Sequence, residues 1–291
     1  MLPARFEYHR PQTVEEALEL LDRYAEDAKV LAGGMSLIPL MKLRFASPGR
    51  LVDVNRIPEL QGMEESDGWL RVRAITRHNE IADSELVRAR YPAMAAAAPV
   101  IADPLVRNLG TLAGSLAHAD PAGDWGSVML ALEAEVVARS VAGERVIPLR
   151  DLFVSSFTTS LRPNELITEV RVPAPRGRSG GTYLKLERKV GDFATVGVAV
   201  QLTLDDGKVG RAGIALTAVG PTNLWAVEAE QALAGAEPTE EAFAEAARLA
   251  ARAAEPTTDV RGSAEYKRHM VEVYTRRGLA RALELARGAG A

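Results

Sequence analysis

The stretch Lys29-Val30-Leu31-Ala32-Gly33-Gly34-Met35-Ser36-Leu37 decides the fold. Four residues of strand character stop abruptly at two glycines. A helix then opens near Ser36, with Leu37, Leu40 and Met41 on its apolar side. Upstream, Thr13-Val14-Glu15-Glu16 fits a capping box, in which Thr13 accepts from an orphan N–H while Glu16 reaches back. Val14, Ala17, Leu18, Leu21 and Ala25 follow at one-face spacing, so a helix precedes the strand. Downstream, Arg50-Leu51-Val52-Asp53-Val54 is the next strand. Helix, strand, glycine turn, helix, strand is an α/β unit.

Further along, residues 69–74 alternate like a half-buried strand, and residues 79–98 predict one alanine-rich helix. Ile101-Ala102-Asp103-Pro104 leads to a second small-residue loop, Gly110-Thr111-Leu112-Ala113-Gly114-Ser115. A helix over 127–132 precedes a hairpin of 134–139 with 145–148, turning around Gly143-Glu144, and 166–172 is one more strand. Prolines and glycines concentrate over 172–181, which marks a domain boundary that no element is expected to cross. Strands over 195–204 and 209–219, joined at Asp205-Asp206-Gly207-Lys208, and helices over 239–254 and 263–286 complete the chain. The expected division is 1–175, with subdomains of about 1–55 and 56–175, followed by 176–291. Glu64-Glu65-Ser66-Asp67 looks like a solvated turn, and Tyr266, Met270, Val273 and Tyr274 like a core stripe. Trp125 and Trp225 receive no role.

Composition narrows the function. With 291 residues, the chain is long enough for about two domains. Hydrophobic residues are 47% and charged residues 25%, as in ordinary globular proteins rather than disordered ones. The net charge is -4 and no dense basic run occurs, so nucleic acid is not an expected partner. Zero cysteines exclude thiol nucleophiles, cysteine-bound zinc and any cysteine-held iron–sulfur cluster on this chain. His9, His78, His118 and His269 are scattered, so no metal site is expected. The start lacks an apolar leader, and the apolar run 93–102, broken by Pro99, falls short of the ~20 residues of a membrane helix. The expected location is the cytoplasm, with no transmembrane segment.

Common catalytic signatures are missing. There is no P-loop, no Gly-x-Gly-x-x-Gly after a strand, no His-Glu-x-x-His and no Gly-x-Ser-x-Gly. What remains is the pair of glycine loops. Such loops expose consecutive backbone N–H groups that cradle phosphate oxygens, especially beside a helix N-terminus. Taken singly, each is more simply a tight turn joining strand to helix.

Taken together, the motifs resemble a known family. Ala32-Gly33-Gly34-Met35-Ser36, then Arg107-Asn108-Leu109-Gly110-Thr111-Leu112-Ala113-Gly114, then Asp120-Pro121-Ala122-Gly123-Asp124 look like the FAD-binding subunit of the molybdenum hydroxylases. This is the xanthine dehydrogenase and aerobic carbon monoxide dehydrogenase family. Lys185-Leu186-Glu187-Arg188-Lys189-Val190-Gly191-Asp192-Phe193-Ala194 and Asp259-Val260-Arg261-Gly262-Ser263-Ala264-Glu265-Tyr266 resemble its C-terminal domain. Length and motif order are most similar to the carbon monoxide dehydrogenase branch, and the likeness spans nearly the whole chain.

The resemblance implies an α+β fold: a PCMH-type FAD-binding domain of two α/β subdomains, followed by a C-terminal antiparallel sheet with helices. It implies noncovalent FAD with its pyrophosphate on both loops. Lys29, Val30, Leu31, Ala32, Gly33, Gly34, Met35 and Ser36 would form the first loop and its approach, and Thr111, Gly114 and Ser115 the second. Asp124 would bond the ribityl or ribose side, while Ile101 and Ile167 would pack against flavin or adenine. Lys185 would lie near the isoalloxazine, with Asp192 and Phe193 approaching the ring. His118 falls within the second motif, where a lone histidine is more often structural.

Three residues depart from the pattern. Met35 replaces a frequent polar residue and Ser115 a frequent asparagine, while Ala113 replaces a glycine and requires φ < 0. By the same resemblance, a large partner subunit would hold the molybdenum cofactor and a small partner the [2Fe-2S] clusters. FAD would pass electrons from those clusters to an external acceptor, and any membrane attachment, at the inner face, would come through the complex. Two other readings stay open: a stand-alone flavin oxidoreductase, which needs its own substrate cavity, and a flavin-free assembly subunit.

Overall fold

The computed structural model describes residues 2–288. Its first unit contains β1 (Glu7–His9), α1 (Val14–Tyr24), β2 (Ala28–Leu31), α2 (Leu37–Leu43) and β3 (Arg50–Asp53). The strands form a parallel sheet in the order β1-β3-β2. Thr13 caps α1, its hydroxyl accepting the Glu16 N–H at 3.2 Å, an arrangement that contributes about 1 kcal/mol. Glu16 reaches back one residue further than a capping box requires, accepting from the Gln12 N–H at 2.7 Å. Val14, Ala17, Leu18 and Leu21 are buried as their spacing predicts. Ala25 instead leaves the helix, at φ 41°.

The second unit holds β4 (Met63–Ser66), β5 (Trp69–Arg73), α3 (His78–Asp83), α4 (Glu85–Arg90), α5 (Pro92–Ala97), α6 (Pro104–Leu109), α7 (Leu112–His118) and α8 (Asp124–Ala131). It continues through β6 (Glu135–Ser140), β7 (Gly143–Pro148), β8 (Phe153–Ser155), β9 (Thr158–Thr159) and β10 (Leu166–Pro173). A five-stranded antiparallel sheet runs β4-β5-β10-β6-β7, and β8 pairs with β9. Leu70, Val72, Val136, Ala138, Val170 and Val172 alternate onto the buried face of the large sheet. On the other face Glu169 binds Arg71, Arg73 and Arg171. A cavity of about 630 Å³ opens on that ion-paired face, against Val14 and Pro58, and the glycine loops do not line it.

Several expectations change here. The single helix over 79–98 is three short ones. Ser84 ends α3 and caps α4 by accepting the Val87 N–H, and Pro92, which has no N–H to donate, starts α5 afresh. The hairpin turns at Val141 and Ala142, because Gly143 already pairs with Ser140. Glu64, Glu65 and Ser66 form a strand rather than a free turn, and Glu65 accepts from the Tyr91 hydroxyl.

The third unit is β11 (Arg178–Leu186), β12 (Val196–Asp205), β13 (Lys208–Thr217), β14 (Leu224–Trp225), α9 (Val227–Leu233), α10 (Glu240–Ala253) and α11 (Ala264–Gly288). Its four strands pair antiparallel in that order. β11 starts inside the proline- and glycine-rich stretch, which therefore interrupts the chain only between Pro173 and Arg178. Its glycines serve close packing: a Cβ on Gly180 would lie 2.5 Å from the Ala286 backbone nitrogen of α11. α11 buries Val271, Thr275, Gly278, Leu279 and Ala282, whereas Tyr266 is 44% exposed and lies outside the core stripe.

This last sheet is a shared wall. Tyr183, Ala199 and Ala215 join the core of the first two units, while Val198, Val200, Ile214 and Leu216 join the core beneath α10 and α11. The overall class is α+β.

Candidate functional site

The two glycine loops touch. A Cβ on Gly33 would overlap the Leu109 carbonyl oxygen and lie 2.7 Å from the Gly110 Cα. Gly34, at φ +72°, makes the turn that delivers the chain to α2. The second motif is not a loop throughout. Thr111 caps α7, its hydroxyl accepting the Gly114 N–H at 3.1 Å, so Ala113, Gly114 and Ser115 are helical. Ala113 has no positive φ, which meets the condition its side chain imposes.

The donors a phosphate needs are present. Among the described residues, the N–H groups of Gly33, Gly34, Met35 and Ser36 have no protein acceptor, nor do those of Leu112 and Ala113 at the start of α7. The side chain at position 35 does not affect this set of backbone donors. Behind the loops lie Arg77 and Arg107, which pair with no carboxylate among the described residues. The Arg107 guanidinium instead donates to the Ile101 and Ala102 carbonyls, both at 3.0 Å.

His78 wedges beneath the second loop. Its N–H donates to the Gly110 carbonyl at 3.0 Å, and a Cβ on Gly110 would lie 2.7 Å from His78 Nε2. Trp125 Nε1 donates to His78 Nδ1 at 3.0 Å, so a neutral ring carries its proton on Nε2. Burial, reinforced by Arg107 and Arg77, lowers the His78 pKa to about 4.

From the loops the site runs into the third unit. Ile101 is nearly buried, and a Cβ on Gly191 would lie 3.0 Å from the Ala102 carbonyl oxygen, so the 187–194 segment packs against it. Within that segment Asp192 accepts from Arg188, Arg261 and the Phe193 N–H. Desolvation opposes ionisation there, but these donors hold the Asp192 carboxyl below its usual range. The Phe193 side chain is exposed.

Lys185 donates to the Val100 carbonyl at 2.9 Å and to Asp124 Oδ2 at 3.0 Å, and lies 3.4 Å from Glu187. Tyr183 donates to the other Asp124 oxygen at 2.6 Å. Burial pushes the Asp124 carboxyl up, against the pull of Lys185 and Tyr183. Both charges are almost fully enclosed, so losing either partner would cost about 3–5 kcal/mol. The pair ties α8 to β11.

The remaining candidates lie around this centre. Lys29 is exposed on β2, Val30, Leu31 and Ala32 are half-buried, and Ser36 is exposed. His118 ends α7, and its ring lies tilted against Phe157 with centroids 5.2 Å apart. Ile167 is buried within β10. Sequence reasoning missed Asn55, Arg77, His78, Trp125 and Tyr183, and gave Arg107 no role beyond its place in the second motif. One signal was available: Asn55 follows the carboxyl end of β3, which is parallel to and paired with β2, so it must lie beside the first loop.

Two touching, donor-rich loops set between a small parallel sheet and a larger antiparallel one offer backbone N–H groups suited to phosphate oxygens. Residues 4–175 match the family described as the FAD binding domain in molybdopterin dehydrogenase, and residues 181–282 the CO dehydrogenase flavoprotein C-terminal domain. The chain belongs to this family of FAD-binding oxidoreductase subunits. It is 44% identical to the carbon monoxide dehydrogenase medium chain of Hydrogenophaga pseudoflava, over 96% of this chain and 97% of that one. It is 42% identical to the 6-hydroxypseudooxynicotine dehydrogenase complex subunit alpha of Paenarthrobacter nicotinovorans, over 99% and 97%. A solved structure of Hydrogenophaga pseudoflava carbon monoxide dehydrogenase lacking the Mo-pyranopterin moiety superposes with a TM-score of 0.95, at 46% identity, covering 98% of this chain and 99% of that chain. Among the described residues, no helix is long and apolar enough to cross a membrane.

Proposed function

We propose that this chain is the FAD-binding, electron-transferring subunit of a three-component molybdenum hydroxylase of the carbon monoxide dehydrogenase type. The supporting observation is the set of six backbone N–H groups without protein acceptors, on two loops held in contact. Bound FAD would supply reversible two-electron storage, which the chain's own side chains lack. Gly33 to Ser36 would hold one phosphate, and the start of α7 the other, with the helix dipole adding to the attraction. Ile101, Asp192 and Phe193 would border the ring system. Lys185 would approach it with a charge already offset by Asp124 and Glu187. Its effect on flavin potential is therefore smaller than that of a free ammonium.

In this assignment the FAD domain is 1–175 and the C-terminal domain 176–291. A large partner carries molybdenum and a small one carries the iron–sulfur clusters, in the cytoplasm. The chain is purified with its partners and then acid-precipitated. All flavin should appear in the supernatant as FAD. Flavin retained in the pellet would refute noncovalent binding, and a purified complex without flavin would refute the assignment.

A further inference from the structure

We infer that Arg77 and Asn55 are positioning residues that set the spacing of the two glycine loops, and thereby the affinity for a pyrophosphate. The inference rests on the flavin-subunit function proposed above. Arg77 precedes α3 and is half-buried between the loops. One arm of its guanidinium donates to the Leu109 carbonyl, and the other donates to Asn55 Oδ1 at 2.5 Å. Asn55 Nδ2 in turn donates to the Ala32 carbonyl at 2.8 Å and to Asp53 Oδ1 at 2.7 Å. The result is a continuous tie from Leu109 through Arg77 and Asn55 to Ala32. Each anchored carbonyl stands immediately before a glycine, Gly110 on one side and Gly33 on the other.

The tie has two physical consequences. A peptide unit is planar and trans, so fixing the Ala32 carbonyl toward Asn55 turns the Gly33 N–H the opposite way. One of the free donors is thus aimed before any ligand arrives. The Leu109 carbonyl, meanwhile, sits at the loop contact, where its partial negative charge would repel a phosphate. The guanidinium covers that oxygen. No carboxylate forms a salt bridge with Arg77 among the described residues; Glu80 and Asp53 nearby offset part of its charge, and the remainder lies behind the loops, where a pyrophosphate gains from it. The planar fork matters, because one guanidinium reaches two acceptors that a single ammonium would have to choose between.

The test uses the full chain and three probes: FAD, ADP, which keeps the pyrophosphate, and riboflavin, which lacks it. Arg77→Met should weaken FAD and ADP binding by about fiftyfold and Asn55→Ser by about tenfold, as expected for lost charge-assisted and neutral hydrogen bonds respectively. Riboflavin affinity should stay within about twofold of wild type, and Arg77→Lys should recover only part of the loss. Combining Arg77→Met with Asn55→Ser should weaken ADP binding by less than the product of the two single losses, because the residues share one hydrogen bond. Wild-type ADP affinity in folded Asn55→Ser and Arg77→Lys would overturn the tie, as would equal losses for ADP and riboflavin. A wild-type chain that binds neither FAD nor ADP would overturn the proposed function itself.

Discussion

The two glycine motifs look alike in sequence and depend on glycine for different reasons. At Gly33 and Gly34 the backbone itself makes the demand. One residue lies against another stretch of main chain, and the other turns at φ +72°. At Gly110 and Gly114 the backbone is ordinary: Gly110 has φ −60° and Gly114 is helical. The nearest atoms a Cβ would meet belong to side chains, His78 at Gly110 and Thr111 at Gly114, with the Val106 carbonyl oxygen a further 3.1 Å neighbour at Gly110. A backbone obstacle cannot move away cheaply, whereas a side chain can find another rotamer. The first motif should therefore be brittle and the second adaptable. Ala113 is already an instance of that adaptability.

Gly33→Val should have the largest effect. Its Cβ would overlap the Leu109 carbonyl, forcing the loops apart, and FAD affinity should fall by at least about a hundredfold, equivalent to about 3 kcal/mol. Gly34→Val adds left-handed strain of about 1–2 kcal/mol. Gly62 offers a matched control, because it has φ +90° with open space around it. Gly62→Val should show the strain in its melting temperature yet keep its flavin. Flavin retained at wild-type affinity by folded Gly33→Val would remove the basis for calling the first motif brittle.

What the sequence made legible follows from how local each signal was. α1, β2, β3 and the first turn were readable because caps, periodicity and glycine act within a few residues. The 79–98 stretch reads as one helix because its alanine content masks Ser84 and Pro92, each of which restarts the chain. Gly110–Ser115 looked like a loop because two glycines outweighed the cap supplied by Thr111. The first-loop residues were legible by motif. The apparatus behind them was not, since Asn55, Arg77 and Trp125 meet only after distant strands have paired. His78 to Trp125 spans 47 positions, and no spacing rule reaches that far.

Acid sharpens the contrast, because only the second motif rests on a histidine. His78 has a folded pKa of about 4 against an unfolded value near 6.5. Between those values the unfolded chain binds a proton that the folded chain does not. Stability is therefore complete above pH 6.5 and falls as the pH drops through 4, by about 3 kcal/mol in total. Urea midpoints measured from pH 7.5 to 4.5 should decline with this slope in the wild type and more shallowly in His78→Gln. An identical slope in both would mean that the wedge under the second motif contributes nothing to acid sensitivity.

Gly114→Ala should have the smallest effect, and two opposing contributions explain why. Alanine is the better helix former, by up to about 1 kcal/mol, though less in a first turn. Its Cβ, however, would sit 2.6 Å from the Thr111 hydroxyl that accepts the Gly114 N–H. Rotating that hydroxyl away sacrifices a cap of about 1 kcal/mol. The contributions nearly cancel, so the melting temperature should move by only a few degrees and FAD affinity should fall less than about tenfold. Thr111→Ala loses the cap without the compensating gain and should be the less stable of the two. The backbone donors at Leu112 and Ala113 stay in place in either variant, which is why binding should largely survive. If Gly114→Ala lost flavin as completely as Gly33→Val, both motifs would be equally intolerant, and the distinction between backbone and side-chain obstacles would not hold here.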